Sequence, residues 1–439
     1  MPPFNPPPFE PSRRDSFTSS LWHATAIPAA GSHALSGDQV ADVAVVGAGY
    51  TGLCAAIELA RCGADVAVLD AREPGFGASG RNGGQVIPAF KYDPDGIAAV
   101  YGDEAGERVL DMVSRTADAV FDLVDEFGIA CDPIRTGWIQ CAHGAAGRAA
   151  VQARHRQWRR RGAPVELLEA DALRRMTGTD FYPLGVLFRN AGTVQPLSYA
   201  RGLARAAAGL GVRIFSEALA QRIEPAGRGW RVPAGQGGVT ARQVVIAVNG
   251  YGTSGLWPGL CESVVPLYSM QIATDPLPGT LREAVMPEVQ ALADTRRLVC
   301  YCRKTRDHRF VIGSRGPFAA RPEAADARAL AAAACRMYPV LRGTGFPYRW
   351  AGRVAMTVDH IPHLHQLAPG VFAALGYNGR GVGMATMMGR ILAAACRGAR
   401  RGELPYPVSD LRRIPMHGLH RLGVHALVMA YRMLDWRPG

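Results

Sequence analysis

The stretch that decides the fold reads ADVAVVGAGYTGLCAAIELARCGADVAVLDAR, residues 41–72. Val43-Ala44-Val45-Val46 is a short, β-branched apolar run, which suits a strand buried on both faces. Gly47-Ala48-Gly49-Tyr50-Thr51-Gly52 then completes a G-x-G-x-x-G. Leu53, Ala56, Ile57 and Ala60 follow at helical spacing, and Gly63 stands where a helix C-cap belongs. A second apolar run, Val66-Ala67-Val68-Leu69, ends in Asp70. Strand, glycine turn, helix, strand and terminal acid in register form a βαβ unit that binds an adenine dinucleotide. Gly47 permits the tight turn, Gly49 lets a pyrophosphate approach the backbone, and Gly52 lets helix and strand pack closely. The helix N-terminus offers free N–H groups and a positive dipole end to the phosphates. Asp70 can accept hydrogen bonds from the adenosine ribose. Tyr50, Thr51, Ala71 and Arg72 complete this part of the predicted cofactor site. Arg72 admits a 2′-phosphate, which the charge of Asp70 opposes.

Directly after the acid comes a second glycine-rich loop, Gly75-Phe76-Gly77-Ala78-Ser79-Gly80-Arg81-Asn82-Gly83-Gly84-Gln85. A nicotinamide dehydrogenase would normally continue into another helix and strand. A loop of small residues with exposed N–H groups suits an extended dinucleotide with a flavin ring at its far end. The other reading, a flexible surface loop, leaves unexplained why Ser79, Arg81, Asn82 and Gln85 stand together.

Residues 47–85 resemble the D-amino-acid-oxidase superfamily of FAD-dependent oxidoreductases, and Gly77-Ala78-Ser79-Gly80-Arg81-Asn82-Gly83-Gly84-Gln85 resembles its gamma-glutamylputrescine oxidoreductase-like branch. The similarity runs from about residue 21 to residue 396. It takes in Ser20-Leu21-Trp22, Gly192-Thr193-Val194-Gln195-Pro196, Ala247-Val248-Asn249-Gly250-Tyr251, residues 350–359, and Gly376-Tyr377-Asn378-Gly379-Arg380-Gly381-Val382-Gly383. The resemblance implies an α/β chain, α+β overall. A Rossmann-type FAD-binding domain (residues 38–86, 191–250 and 350–400) would carry a second, antiparallel-sheet substrate domain (87–190 and 251–349). Residues 1–37 would be a partly disordered N-terminal extension and residues 401–439 a helical tail. It also implies oxidation of an amine or amino acid by hydride transfer to flavin N5, followed by hydrolysis of the imine. FAD would contact Ala78, Ser79, Arg81, Asn82, Gly83, Gly84 and Gln85, and then Gly379, Arg380, Gly381, Val382 and Gly383. A helix N-terminus there stabilises the negative charge of a reduced flavin.

The remaining pattern fits that plan. Apolar positions over residues 103–127 predict one long amphipathic helix closed by Gly128. Residues 137–141, 212–215, 243–248 and 372–375 read as strands, and residues 197–210 and 384–396 as helices. Shorter alternating runs at 264–273, 298–303 and 310–314 suggest antiparallel strands.

Four substrate-facing candidates emerge. Tyr268 closes the pocket or hydrogen-bonds substrate, or else is core. Arg353 pairs with a substrate carboxylate in a bidentate way, or else makes a surface ion pair. Tyr377 and Asn378 sit on the flavin-proximal loop by resemblance. No general base is assigned, because an amine that arrives neutral needs none. Three features depart from the family. Arg380 replaces its usual His. Residues 350–358 hold no Cys for a covalent flavin link, so FAD is expected to be non-covalent. No Lys lies on the run at 310–313 to activate oxygen, although Lys304 is just upstream. The electron acceptor is therefore oxygen, or a quinone or carrier protein.

The chain has 439 residues, 48% hydrophobic and 20% charged, which excludes disordered, collagen-like and disulfide-scaffold classes. Its apolar stretch at 422–431 is too short to span a bilayer, which takes ~20 residues. Lys91 and Lys304 are its only lysines, which leaves few candidates for a pyridoxal-phosphate Schiff base. The formal charge is +12. The run Arg154, Arg156, Arg159, Arg160 and Arg161 reads as a solvated helix face, with a basic RNA-associated flavoprotein as the alternative of another class; no nucleic acid is expected. Nine cysteines without C-x-x-C point to a reduced, cytoplasmic setting. His360, His363 and His365 are not at a standard zinc spacing, and no metal is expected. Residues 414–436 read as a helix docked on the body or as an interfacial one giving peripheral membrane contact.

Overall fold

The structure, a computed structural model, describes residues 16–288, 290–315, 324–420, 423, 424 and 431. Two sheets carry it. The first has nine strands, running His33–Ala34, Arg213–Ser216, Val66–Leu69, Asp38–Val46, Gly237–Ile246, Gly229–Ala234 and Glu224–Ala226; Val371–Leu375 joins at Gly237–Ile246 and is paired in turn with His363–Ala368. Its centre is parallel: Asp38–Val46 lies between Val66–Leu69 and Gly237–Ile246, and Val66–Leu69 pairs with Arg213–Ser216. Val43, Ala44, Val45 and Val46 are all buried, as a strand covered on both faces requires. The helices Tyr50–Arg61, Pro196–Gly209 and Gly381–Cys396 cover the face that carries Val43 and Val45, while Ala44 and Val46 pack on the other side in a cluster with Leu256, Leu260 and Val264.

The second sheet has eight strands, in the order Tyr348–Met356, Val265–Ala273, Phe310–Arg315, Cys300–Lys304, Ala291–Asp294, Trp138–Cys141, Leu184–Phe188 and Val165–Glu169. Every pairing is antiparallel except that of Ala291–Asp294 with Trp138–Cys141. The architecture is therefore mixed α/β: a Rossmann-like sheet beside an antiparallel one. Residues 350–356, assigned from sequence to the nucleotide-binding part, pair along the edge of the second sheet.

The single helix expected over 103–127 is two, Asp103–Ser114 and Thr116–Glu126. Arg115 leaves helical geometry at φ −94°, ψ −2°, and the Thr116 hydroxyl donates to the Val113 carbonyl at 2.7 Å. The second helix thereby turns onto Gly381–Cys396, where a Cβ on Gly383 would stand 3.0 Å from the Thr116 carbonyl oxygen. An apolar stripe continues across such a break, so periodicity does not register it. His363 and His365 lie on the strand His363–Ala368. Arg154, read as part of a solvated face, is turned inward to Asp93 and Gln140, both at 2.6 Å. The tail expected over 414–436 falls largely outside the described residues. Among the described residues no helix is long and apolar enough to cross a membrane.

Gly389 is where Gly381–Cys396 meets Tyr50–Arg61: a Cβ there would stand 2.6 Å from both Cys54 Cβ and the Thr51 carbonyl oxygen. Gly389→Val is expected to force the two helices apart and to cost roughly 2–4 kcal/mol by overpacking, read as a lower denaturation midpoint in urea at unchanged m.

Candidate active site

A cavity of about 930 Å³ lies between the two sheets. At one end stand Gly47, Gly49, Tyr50 and Thr51, with Asp70, Ala71 and Arg72 beside them. Gly47 has φ +108°, and a Cβ would reach 2.8 Å from the Ala247 carbonyl oxygen; on Gly49 it would reach 2.9 Å from Ser79 Oγ. Gly52 is behind this surface, where a Cβ would collide with the Gly47 carbonyl oxygen at 1.9 Å. The turn thus offers bare backbone to the cavity, which is what a pyrophosphate needs. Asp70 holds the turn: its carboxylate accepts from Ala48 N at 2.6 Å and Arg72 N at 2.9 Å. Desolvation at the cavity wall nevertheless pushes its carboxyl up to about 6, and these backbone hydrogen bonds oppose the shift. Arg72 faces Glu217 at 3.1 Å.

The second glycine-rich loop is tied to three other elements. Ser79 Oγ accepts from Tyr50 N at 3.0 Å. The buried Tyr50 hydroxyl lies 2.6 Å from the Ser79 carbonyl oxygen and accepts from Asn82 Nδ2 at 3.1 Å. Asn82 Oδ1 accepts from Gly84 N at 2.7 Å. Arg81 stacks between Phe17 and Phe76, 5.0 and 4.5 Å from their ring centres. Gln85 Nε2 donates to the Leu292 and Cys302 carbonyls at 3.3 and 3.2 Å, and its Oε1 accepts from the Trp138 indole at 3.0 Å. Ala78, Ser79, Arg81, Asn82, Gly83 and Gln85 line the cavity. Gly84, expected with them, has φ +67° and is pressed against protein: a Cβ would meet the Val194 carbonyl oxygen at 2.2 Å and Arg303 Nη1 at 2.4 Å.

On the far wall Tyr268 and Arg353 are register partners on adjacent antiparallel strands. Arg353 Nε donates to the Tyr268 hydroxyl at 3.0 Å, and the guanidinium lies 5.6 Å from the Tyr251 ring centre. The two therefore form one unit facing the cavity. Tyr377 and Asn378 also line it, but their polar atoms are engaged with protein. The Tyr377 hydroxyl is 2.6 Å from Thr51 Oγ1, and burial raises its pKa. Asn378, at φ +51°, accepts from Thr357 N at 3.0 Å and donates to the Gly376 carbonyl at 2.5 Å. They shape the loop that leads into Gly381–Cys396. Gly379, Arg380, Gly381 and Val382 line the cavity, whereas Gly383 packs on Thr116. Arg380 lies 4.7 Å from the Trp138 ring centre, and burial, with the nearby Arg154 charge, lowers its pKa to about 9.

Sequence reasoning did not single out Arg303. It is buried, its Nη1 donates to the Val194 and Gly84 carbonyls at 2.6 and 3.3 Å, and desolvation lowers its pKa to about 10. A charged residue inside the apolar run 298–303 was the available signal. Trp138, Tyr301, Lys91 and Arg315 also line the cavity unforeseen. Lys304 does not: its ammonium donates to the Arg282 and Val285 carbonyls at 2.7 and 2.9 Å. Of the histidines considered for metal, His363 faces Asp359 at 2.9 Å and His365 donates to the Ser409 carbonyl at 2.8 Å, while His360 lines the cavity. Among the described residues no three His, Cys, Asp or Glu side chains converge as a metal site.

Residues 42–395 match the family described as FAD dependent oxidoreductase. The chain is 31% identical over 410 residues to gamma-glutamylputrescine oxidoreductase of Escherichia coli (strain K12), covering 91% of this chain and 95% of that protein. It is 30% identical over 368 residues to the probable oxidoreductase OrdL of Haemophilus influenzae, covering 82% and 83%. Among solved structures, glycine oxidase from Geobacillus kaustophilus superposes with a TM-score of 0.73 at 21% identity over 86% of this chain and 100% of that one, a likeness of fold.

The glycine cradle and the cavity running from it fit FAD. Gly49→Val is expected to weaken FAD retention at least about tenfold, equivalent to ~1.4 kcal/mol, measured by flavin absorbance of purified protein with an unchanged far-UV circular dichroism spectrum. Ribose hydroxyls of a bound FAD would donate to the ionised form of Asp70, whose carboxyl burial pushes up to about 6. FAD affinity is therefore expected to rise with pH through that value, and titrations with Asp70→Asn should be flat across it.

Proposed function

We propose, for a chain that belongs to the FAD dependent oxidoreductase family, that it oxidises the C–N bond of a gamma-glutamylputrescine-like amine or an N-substituted amino acid. Gly47, Gly49, Ser79 and Asn82 would hold FAD, which would supply a two-electron hydride acceptor for the carbon bearing nitrogen; water would convert the resulting imine to a carbonyl compound and a free amine. One observation carries this reading: a single cavity joins the glycine cradle to the Tyr268–Arg353 pair on the antiparallel sheet. A dinucleotide anchored at the first end has room to extend beneath the second.

The chain's own part is positioning. Arg353, braced by Tyr268 and stacked near Tyr251, offers a planar donor to a substrate carboxylate. Tyr377 and Asn378 hold the loop before Gly381–Cys396, so that the helix N-terminus faces the cavity with its positive end. Among the described residues no cysteine lines the cavity, which supports non-covalent FAD.

A second reading concerns the acceptor. The Lys304 ammonium is bonded to main-chain carbonyls outside the cavity. Lys91 does line it, so a cation for oxygen is within reach, and oxygen stands beside a quinone or carrier protein as acceptor. The RNA-associated alternative has less support: Arg154, Arg160 and Arg161 of the basic run are paired with Asp93, Asp95 and Glu107. All nine cysteines are free, in keeping with a cytoplasmic setting.

Anaerobic mixing of the FAD-loaded protein with polyamines, gamma-glutamyl amines, sarcosine and glycine is expected to bleach the flavin with at least one amine. Flavin that none of them reduces would remove the reading. Peroxide formation on readmitting air separates oxygen from the other acceptors.

A further inference from the structure

One part of the cavity wall concentrates positive charge. Arg380 Nη1 is buried without a hydrogen-bond partner among the described residues, and its guanidinium lies 4.7 Å from the Trp138 ring centre. Arg315, at the end of the strand Phe310–Arg315, lines the same cavity, as do Lys91 and His360. Burial first, and then the charge of Arg315, disfavours the protonated forms of Arg380, Lys91 and His360, which puts all three within electrostatic reach of Arg315. The acids nearby are engaged elsewhere. Asp93 accepts from Arg154 Nε at 2.6 Å and from the Trp158 indole at 3.2 Å. Asp294 is paired with Arg296, and Asp359 faces His363 at 2.9 Å. Lys91 is exposed and Arg315, His360 and Arg380 are half-buried; like charges gathered on one wall repel, and an anion set between them relieves that repulsion. Guanidinium groups suit a carboxylate in particular, because the two are planar and match donor for acceptor.

We propose that this wall is a carboxylate subsite, and that the substrate is an acidic amine whose carboxylate, remote from the oxidised C–N bond, seats against Arg315 and Arg380 with Lys91 and His360 beside them. The substrate class rests on the amine-oxidising reading above; the subsite does not. The wall selects against a cation at that end. A free polyamine would bring an ammonium there, and a gamma-glutamyl group would bring an ammonium next to its carboxylate. A glutaryl group, with the carboxylate alone, fits the charge.

Two measurements on the full-length, FAD-loaded protein test this. Calorimetric titration with glutarate and with its neutral diamide, glutaramide, is expected to give at least about tenfold tighter binding of glutarate, the scale of one charge-assisted hydrogen bond. Arg315→Gln should erase most of that ratio and Arg315→Lys keep part of it. Should Arg315→Gln fail to fold, Lys91→Gln makes the same test, with flavin absorbance showing an unchanged FAD load. Anaerobic flavin reduction by a matched trio, N-glutarylputrescine, gamma-glutamylputrescine and N-butanoylputrescine, is expected to be fastest at low concentration with the glutaryl compound. Equal affinities for glutarate and glutaramide, or a ratio that survives Arg315→Gln, would overturn the subsite. A trio led by the butanoyl compound would overturn the acidic substrate class. If neither the trio nor any amine of the panel above reduces the flavin while glutarate is still preferred, the amine reading fails and the anion subsite stands.

Discussion

The main-chain carbonyls of residues 81–84 are the point on which the two halves of this protein meet. A glycine-rich loop that departs from the nucleotide-binding sheet has no strand to satisfy its carbonyls, and buried carbonyls must find donors. Here the donors come from the rest of the molecule. The Trp350 indole and Gln271 Nε2 donate to the Arg81 carbonyl at 3.0 and 2.6 Å, the Trp22 indole to that of Asn82 at 2.8 Å, and Arg303 to that of Gly84 at 3.3 Å. Three of these donors sit on strands of the second sheet and the fourth on the short N-terminal helix Leu21–Thr25. The cavity floor is thus a by-product of hydrogen-bond satisfaction, and the relative placement of the sheets follows from it.

The same logic explains what could be read from the chain. The strand–turn–helix–strand unit is contiguous, and Gly52 answers to the Gly47 carbonyl five residues away, although Gly47 itself is held against Ala247 and Gly49 against Ser79. Such constraints are written contiguously and are legible. So was the loop at 75–85, because its polar residues sit together in the text. What could not be read depends on partners far along the chain. Tyr377 lines the cavity, and its hydroxyl lies against Thr51, more than three hundred positions away, a partner that no local pattern names. Gly84 was placed with the cofactor, yet Arg303 and Val194 occupy the space beside it. The break at Arg115 follows from the route of a helix across Gly383, which no periodicity contains.

Charge tells a further story about scale. The chain carries a formal +12, spread over many arginines. Much of the surface excess is locally balanced, as in the pairs Arg161–Glu107 and Arg213–Asp65. Exposed pairs of that kind contribute little to stability. The functionally informative cations are those inside. Arg303 faces carbonyl oxygens rather than a carboxylate, and Arg380 faces an indole. Both are costly to desolvate, and each marks a place where charge is worth its expense.

The strand order of the second sheet interleaves chain from either side of the nucleotide-binding segments. Trp138–Cys141 and Leu184–Phe188 precede Gly237–Ile246 in sequence, while Val265–Ala273 and Tyr348–Met356 follow it. No single cut in the gene separates the pocket that chooses the substrate from the scaffold that holds the flavin. Single replacements along the strands can therefore reshape the pocket, whereas grafting a foreign recognition module would demand at least two coordinated splices.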